Sequence, residues 1–582
     1  MEVELKCRTL IDLFNQSPAG PESAQKNCLE IVRVQRNEKL TFGELKHKAT
    51  EFCAYLIHFR GIRKGDNVAI LGKNRVDWDI AFWGTILAGA IPVLIDPERR
   101  VEGVKKHLVN TDARLLVMAD DYQDEILRRQ LRKISAYHEI GMVEMTVFDK
   151  ADIDDIHFAT LLARIRAEVK SDDTAAILCT SGTTGQPRGV ELTHTNLIAN
   201  IQAALEELDV TAADKLGHVL PPHHSFGLTV GKLLPFWVGA TNLYTNKYRD
   251  IDELISQKGI TFFVSIPALY TALARKIESG LCRRKQKSRF IRLADRFVPK
   301  LVGRMLVKKL GWQKLRFFIS GAAPLPMWVL NVFWSRGIKI REGYGLTESS
   351  PVYGINDNAG KLGSVGRPLS TMLVKIVNER GRKLNPAQKG EIVLGGPCIT
   401  KGYYKNAKAT DAVIKKDEQG VRWLHTGDLG YLDEDGYLYI TGRKKYLIVL
   451  PGGKNINPEM LETALSQAEC VDELLVVPAY RRGAAGVEQE VVKAIVRPDW
   501  DRIEAEAGLS RRELENQPEA VKDFVWQSIN KCQQTNQELA GFEKIQSKKF
   551  IQIQVKEFSK TTTGKIKRDS YIEAVQTVRP VK

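Results

Sequence analysis

Apolar residues follow two patterns along this chain. Short runs with few or no polar positions, such as Val68-Ala69-Ile70-Leu71, Thr174-Ala175-Ala176-Ile177-Leu178-Cys179 and Phe262-Phe263-Val264, alternate with longer stretches in which apolar side chains recur every three or four positions. A short apolar run suits a strand covered on both faces, and a period near 3.6 marks a helix with one face on the core. Residues 40–59 therefore predict an amphipathic helix, with Phe42, Leu45, Ala49, Phe52, Cys53 and Leu56 on one stripe and Thr41 able to cap it. Residues 77–87 and 268–277 predict further helices, and residues 90–97 and Phe317-Phe318-Ile319-Ser320 further strands. Strand, helix, strand in succession is the grammar of an α/β sheet with parallel strands.

At 582 residues the chain is too long for one core, so at least two domains are expected. Eight cysteines stand apart, without CxxC pairs or histidines at zinc-finger spacing, which argues against a disulfide framework and a metal site and points to a reducing, cytoplasmic setting. The first twenty residues resemble no signal peptide, and no run approaches the length of a membrane span.

The formal net charge of +16 asks for an anionic partner. Residues 283–309 hold eleven Lys and Arg against Asp295 alone, with apolar residues at helical spacing between them and Pro299 expected to kink or divide the segment. Such a helix suits the surface of an anionic membrane, on its inner face, or else packs its apolar side on the protein. No basic groove interleaved with aromatics is evident, so nucleic acid is not expected.

Candidate chemistry lies in polar, glycine-rich stretches between the apolar blocks. In Thr180-Ser181-Gly182-Thr183-Thr184-Gly185-Gln186-Pro187-Arg188-Gly189 the glycines let backbone approach a polyphosphate, and the hydroxyls and amides can donate to it; a solvated linker has the same composition. The spacing is not that of a Walker loop. Downstream, His224 sits in Pro221-Pro222-His223-His224-Ser225-Phe226-Gly227, Gly321-Ala322-Ala323 forms a small-residue turn with room for a flat base, and Tyr344, Gly345, Thr347 and Glu348 place a ring, a hydroxyl and a carboxylate close together. Glu348 offers the oxygen that Mg²⁺ prefers. Asp428 lies in Thr426-Gly427-Asp428, read as a turn, and Lys565 lies in Lys560-Thr561-Thr562-Thr563-Gly564-Lys565 near the end.

Taken in order, these stretches resemble the motifs of the adenylate-forming superfamily, which includes acyl-CoA synthetases, from about residue 40 to residue 570. The phosphate loop carries Arg188 where that family has lysine, Ser559 replaces a proline, and Tyr446 replaces the aspartate after the hinge. The resemblance implies ATP held by residues 180–185 and Arg188, adenine by Gly321, Ala322, Ala323, Tyr344 and Gly345, ribose by Asp428, and further nucleotide contact by Arg443. It also implies His224 near the acyl carboxylate, Thr347 on the α-phosphate, Glu348 and possible help from Thr183 on Mg²⁺, a hinge at Lys445, and Lys565 bridging carboxylate and α-phosphate.

The expected protein is thus α/β, with a large multilayer N-terminal adenylation domain over residues 1–442, a hinge over 443–448 and a smaller mobile α+β lid over 449–582. The basic amphipathic insertion would span about 283–310. The resemblance is nearest to long-chain fatty acid–CoA ligases, which implies acyl-adenylate formation followed by thioester formation with CoA. Transfer to acyl carrier protein, release of acyl-adenylate, and a noncatalytic basic membrane-surface protein are the alternatives.

Overall fold

The computed structural model describes residues 5–17, 25–31, 38–119, 125–146, 156–181, 187–287, 298–356, 358–450, 454–482, 488–536, 539–561 and 565–577. Within them the apolar runs form strands. Asn67–Leu71, Ile91–Ile95, Ala113–Met118 and Gly141–Glu144 run parallel, and Thr174–Ser181 joins beside Ile91–Ile95. Every residue of Asn67–Leu71 is buried, as a strand covered on both faces requires. A second sheet sets Asn27–Ile31, Thr241–Tyr244, Lys215–His218, Phe262–Ser265, Phe317–Ser320 and Ile340–Tyr344 in parallel, with antiparallel edges Glu38–Thr41 and Gly354–Asn356. A third, antiparallel sheet is built from Leu373–Val377, Gly390–Gly395, Ile414–Lys416, Arg422–Leu432 and Leu438–Arg443.

The helix expected over residues 40–59 is Phe42–Arg60. It starts later because residues 38–41 pair as a strand, and Thr41 then caps it: Thr41 Oγ1 accepts from the Glu44 amide at 3.1 Å while the Glu44 carboxylate accepts from the Thr41 amide at 2.7 Å. Pro299 does divide the basic segment. It opens the helix Pro299–Lys309 in the first turn, where a missing N–H breaks no bond. Residues 288–297 of that segment lie outside the described residues.

Two expectations of loop structure are corrected. Thr180, Ser181, Arg188 and Gly189 belong to a hairpin in which Thr180 pairs with Arg188 and Ser181 with Pro187, so the open loop shrinks to residues 182–186. Gly182, Thr183, Thr184 and Gly185 therefore fall outside the described residues. Asp428 is within the strand Arg422–Leu432 rather than in a turn. The strand tolerates Thr426-Gly427-Asp428 because Gly427 takes φ 69° and the ladder slips between Leu429 and Gly430.

The C-terminal part is a smaller α+β unit. Val471–Arg482, Glu488–Pro498 and Ile551–Ile553 form its sheet, and Pro458–Leu465 and Pro518–Thr535 cover it around Leu461, Val476, Val496, Val525 and Ile529. It meets the larger part where Trp328 Nε1 donates to Ser466 Oγ at 3.1 Å and Arg275 stands 3.5 Å from Asp472.

A buried ion pair fixes the ground beneath the site. Lys232, in the π-helical turn Thr229–Leu233 that follows His224, donates to Asp79 at 2.8 Å, and the Tyr244 hydroxyl donates to the same oxygen at 3.0 Å. The ammonium also lies 3.5 Å from the centroid of the Tyr244 ring. Burial pushes the Asp79 carboxyl up and the Lys232 ammonium down, and each partner counters the other's shift. Lys232→Met alone strands a buried carboxylate and is expected to cost about 3–5 kcal/mol, whereas Asp79→Leu with Lys232→Met is expected to be near neutral. Denaturant midpoints of the two variants check this; equal losses would refute it.

Candidate active site

The C-terminal ends of the two parallel-rich sheets, the antiparallel sheet and the C-terminal unit enclose a cavity of about 390 Å³. Thr180 and Arg188 line it from the hairpin, and His224 lines it from the segment before the π-helical turn. Gly321 and Ala322 follow the strand Phe317–Ser320, while Tyr344, Gly345, Thr347 and Glu348 follow or end the strand Ile340–Tyr344. Arg443 and Lys565 line it as well. Residues spread over nearly four hundred positions of sequence thus meet in one place.

Each position has a local cause. A Cβ on Gly321 would stand 2.9 Å from the Phe226 ring, and one on Gly345 only 1.4 Å from the Pro351 carbonyl oxygen, so neither site has room for a side chain. Ala322 adopts φ 73°, which turns the chain sharply off its strand. Ala323 is half-buried beside this turn and is not part of the cavity wall. Asp428 stands one layer behind the wall, where the Tyr344 hydroxyl donates to Oδ2 at 2.7 Å and Arg443 Nε lies 2.8 Å from Oδ1. Burial, then the Asp428 charge, keeps the Tyr344 phenol protonated.

On the phosphate side, the Thr347 and Ser225 hydroxyls are 3.2 Å apart, and Glu348 Oε1 accepts from the Tyr403 hydroxyl at 2.8 Å. Arg188 lies over the Tyr403 ring, 5.0 Å from its centroid. Burial, reinforced by His223, lowers the His224 pKa to about 3, so its imidazole is neutral at physiological pH. Lys565 is exposed by area yet lines the cavity. Crowding and then the Arg443 guanidinium hold its ammonium below the usual lysine range, against the opposing pull of Glu459 and Asp428.

Lys445 stays outside the cavity and pairs with Asp569 at 3.0 Å, tying the short helical turn Lys444–Tyr446 to the last helix. Sequence reasoning missed Tyr403 and Ser225, which orient Glu348 and Thr347. It also assigned nothing to Glu342, a buried carboxyl whose pKa burial pushes up to about 8 and whose Oε1 accepts from the Leu325 amide at 3.2 Å, next to the Gly321 turn. Its place inside Arg341-Glu342-Gly343-Tyr344 was the available signal.

Residues 21–404 match the AMP-binding enzyme family and residues 445–577 match the AMP-binding enzyme C-terminal domain. The chain belongs to the AMP-binding enzymes. It is 30% identical over 539 residues to a long-chain-fatty-acid–CoA ligase of Bacillus subtilis (strain 168), covering 87% of this chain and 89% of that one. It is 26% identical over 573 residues to the chloroplastic long-chain-fatty-acid–[acyl-carrier-protein] ligase AEE15 of Arabidopsis thaliana, covering 85% of this chain and 76% of that one. Its fold is similar to that of the o-succinylbenzoate coenzyme A synthetase of Bacillus subtilis solved with ATP and magnesium ion, with a TM-score of 0.70 and 22% identity over 96% of this chain and 98% of that one. Coarsely, the chemistry is that of an AMP-forming acid–CoA ligase.

Proposed function

We propose that the protein activates a long-chain fatty acid with ATP, releasing pyrophosphate and forming acyl-adenylate, and then joins the acyl group to the thiol of CoA. The observation that carries this is the convergence of Thr180, Arg188, His224, Thr347, Glu348, Arg443 and Lys565 on one cavity. Leu208, Phe226, Val230, Ile319, Val352 and Ile355 add apolar lining to the same cavity, which suits an aliphatic acid.

In the first step the carboxylate oxygen attacks the α-phosphorus and pyrophosphate leaves, so two anions must be held together against their repulsion. Lys565 would bridge them, Thr347 would donate to the α-phosphate, and Arg188 with residues 180–185 would hold the departing phosphates. Positioning and fixed charge supply the catalysis, and no protein nucleophile is required. Neutral His224 would border the acyl carboxylate without adding charge. Tyr344 would lie against adenine, with Gly321, Ala322, Ala323 and Gly345 leaving it room, and Asp428 and Arg443 would serve the ribose.

Glu348 would hold Mg²⁺, with Thr183 as a further ligand. The donor set fits: among the described residues one carboxylate, Glu348, lines the cavity, and its oxygens are the ligand type Mg²⁺ prefers. Bound there, Mg²⁺ would neutralise phosphate charge.

The domains we propose are an adenylation domain over 1–442, a hinge over 443–448 around Lys445, and a lid over 449–582. We place the enzyme in the cytoplasm, touching at most the inner face of a membrane; among the described residues no helix is long and apolar enough to cross one. Acyl carrier protein is the second candidate acceptor, favoured by the net charge of +16.

Pyrophosphate release from ATP with carboxylates of graded chain length, followed by transfer to CoA or to carrier protein, tests the proposal. Release should require a carboxylate and rise toward long chains. Carboxylate-independent release would exclude ligase function, and transfer to carrier protein alone would replace CoA.

A further inference from the structure

Lys565 sits on the C-terminal unit, but the cavity it lines is built mainly by the larger part, so its place depends on how the two are joined. The joint described above has two points. Trp328 Nε1 donates to Ser466 Oγ, and the Arg275 guanidinium, on the helix Pro267–Lys287, faces the carbonyl oxygens of Ser466, Val471 and Asp472 at 3.5, 3.3 and 3.4 Å as well as Asp472 Oδ1 at 3.5 Å. One cation of the larger part thus draws on three carbonyl oxygens and a carboxylate of the other unit. Contacts of this length are looser than ordinary hydrogen bonds, which leaves charge as their main attraction.

From Asp472 the charges continue. The strand Val471–Arg482 opens with a register shift between Val471 and Glu473, so Asp472 and Glu473, which would face opposite sides of a regular strand, both reach Arg497 on the neighbouring strand Glu488–Pro498. Arg497 Nε stands 3.2 Å from Glu473, and Glu473 Oε1 stands 2.5 Å from Lys560 Nζ. Lys560 in turn bridges to Ile566; beside that bridge the Thr561 amide donates to the Lys565 carbonyl oxygen at 2.7 Å, and the Lys565 amide donates to Thr561 Oγ1 at 3.2 Å. Charges of alternating sign therefore run from Arg275 to the segment that carries Lys565. All five side chains are partly shielded from solvent, between 21% and 36% exposed, and such pairs are screened less by salt than fully exposed ones.

We propose that Arg275 is a positioning residue for the adenylation step, holding Lys565 at the cavity through Asp472, Arg497, Glu473 and Lys560. The inference rests on the role proposed for Lys565 and adds to it the residues that aim it. An isolated ion pair near a surface holds little, but in a chain of pairs each side chain ordered by one partner is already placed for the next. Lys560 thereby gains a task within the stretch Lys560–Lys565, and Arg275, 197 positions before Asp472, joins the site without touching the cavity.

The test is a cycle of variants in the full chain, read in each half-reaction separately. Arg275→Ala should slow pyrophosphate release by about 10- to 10²-fold at unchanged KM for ATP, because the nucleotide cradle belongs to the larger part, while thioester formation from supplied acyl-adenylate holds. Lys560→Ala should behave alike, and the double variant should be no more than about threefold slower than the slower single, since both cut the same chain of contacts. Arg502→Ala, whose pairs with Glu469 and Glu506 stay within the C-terminal unit, should change neither step. Hydrogen exchange adds a readout without chemistry: protection of the Thr561 and Lys567 amides should fall in Arg275→Ala while that of Val476 and Ile495 in the core strands holds. Losses that multiply in the double variant, equal loss of both steps, or unchanged exchange at Thr561 and Lys567 overturns the proposal. If Lys565→Ala itself keeps adenylation, the reading of that lysine fails, and the exchange result alone then decides whether Arg275 holds the segment.

Discussion

Replacing Lys565 with alanine should slow acyl-adenylate formation by about 10²–10³-fold, the range for loss of one preorganised charge partner at a developing anion. Thioester formation from supplied acyl-adenylate should persist, because that step no longer joins two anions. Stopped-flow pyrophosphate release and a separate thiol-transfer assay measure the two steps, and equal loss of both would contradict the role proposed for this lysine. The pH dependence has a definite sign. The ammonium is the active form, and burial in the cavity, then Arg443, lower its pKa, so the first step should fail on the alkaline side, at a pH below that at which a free lysine loses its proton. Lys565→Arg should keep its charge at higher pH and move that limb upward, whatever it does to the maximal rate.

Gly345→Ala should be nearly as damaging, for a purely spatial reason. The added methyl would meet the Pro351 carbonyl oxygen at 1.4 Å and its carbon at 2.6 Å, and backbone cannot swing aside as a flexible side chain can. Displacing this segment moves Thr347 and Glu348, and a shift of about 1 Å at positioning groups commonly costs about 10²-fold in rate. Gly343→Ala is the control, since its nearest atoms lie at 3.7 and 3.8 Å, which is ordinary contact. Rates of pyrophosphate release for the two variants decide the matter: similar behaviour would mean that crowding at Gly345 is relieved elsewhere.

The strands and the motif-borne part of the cavity lining were legible because each signal is local. An unbroken apolar run such as Val68-Ala69-Ile70-Leu71 has one economical use, and Gly343-Tyr344-Gly345 with Thr347 and Glu348 is compact in sequence. What escaped depends on pairing between distant segments. Tyr403 reaches Glu348 only because the two-residue strand Gly402–Tyr403 pairs with Val190 and Glu191, some two hundred positions earlier. Asp428 was misread because threonine and glycine before an acid look like turn chemistry, whereas a broad antiparallel sheet absorbed them as an irregularity in its ladder. Ser225 approaches Thr347 across a gap of 122 positions, and nothing in either segment announces the other.

The C-terminal unit packs around its own cluster of buried residues, with Leu461, Val476 and Ile529 among them, and Lys565 rides on it while the phosphate-side residues belong to the larger part. Heat or denaturant that melts only that small core would disable the first chemical step while the nucleotide cradle kept its shape. Inactivation would then come earlier than gross unfolding, and a damaged molecule would still sequester ATP it could no longer spend.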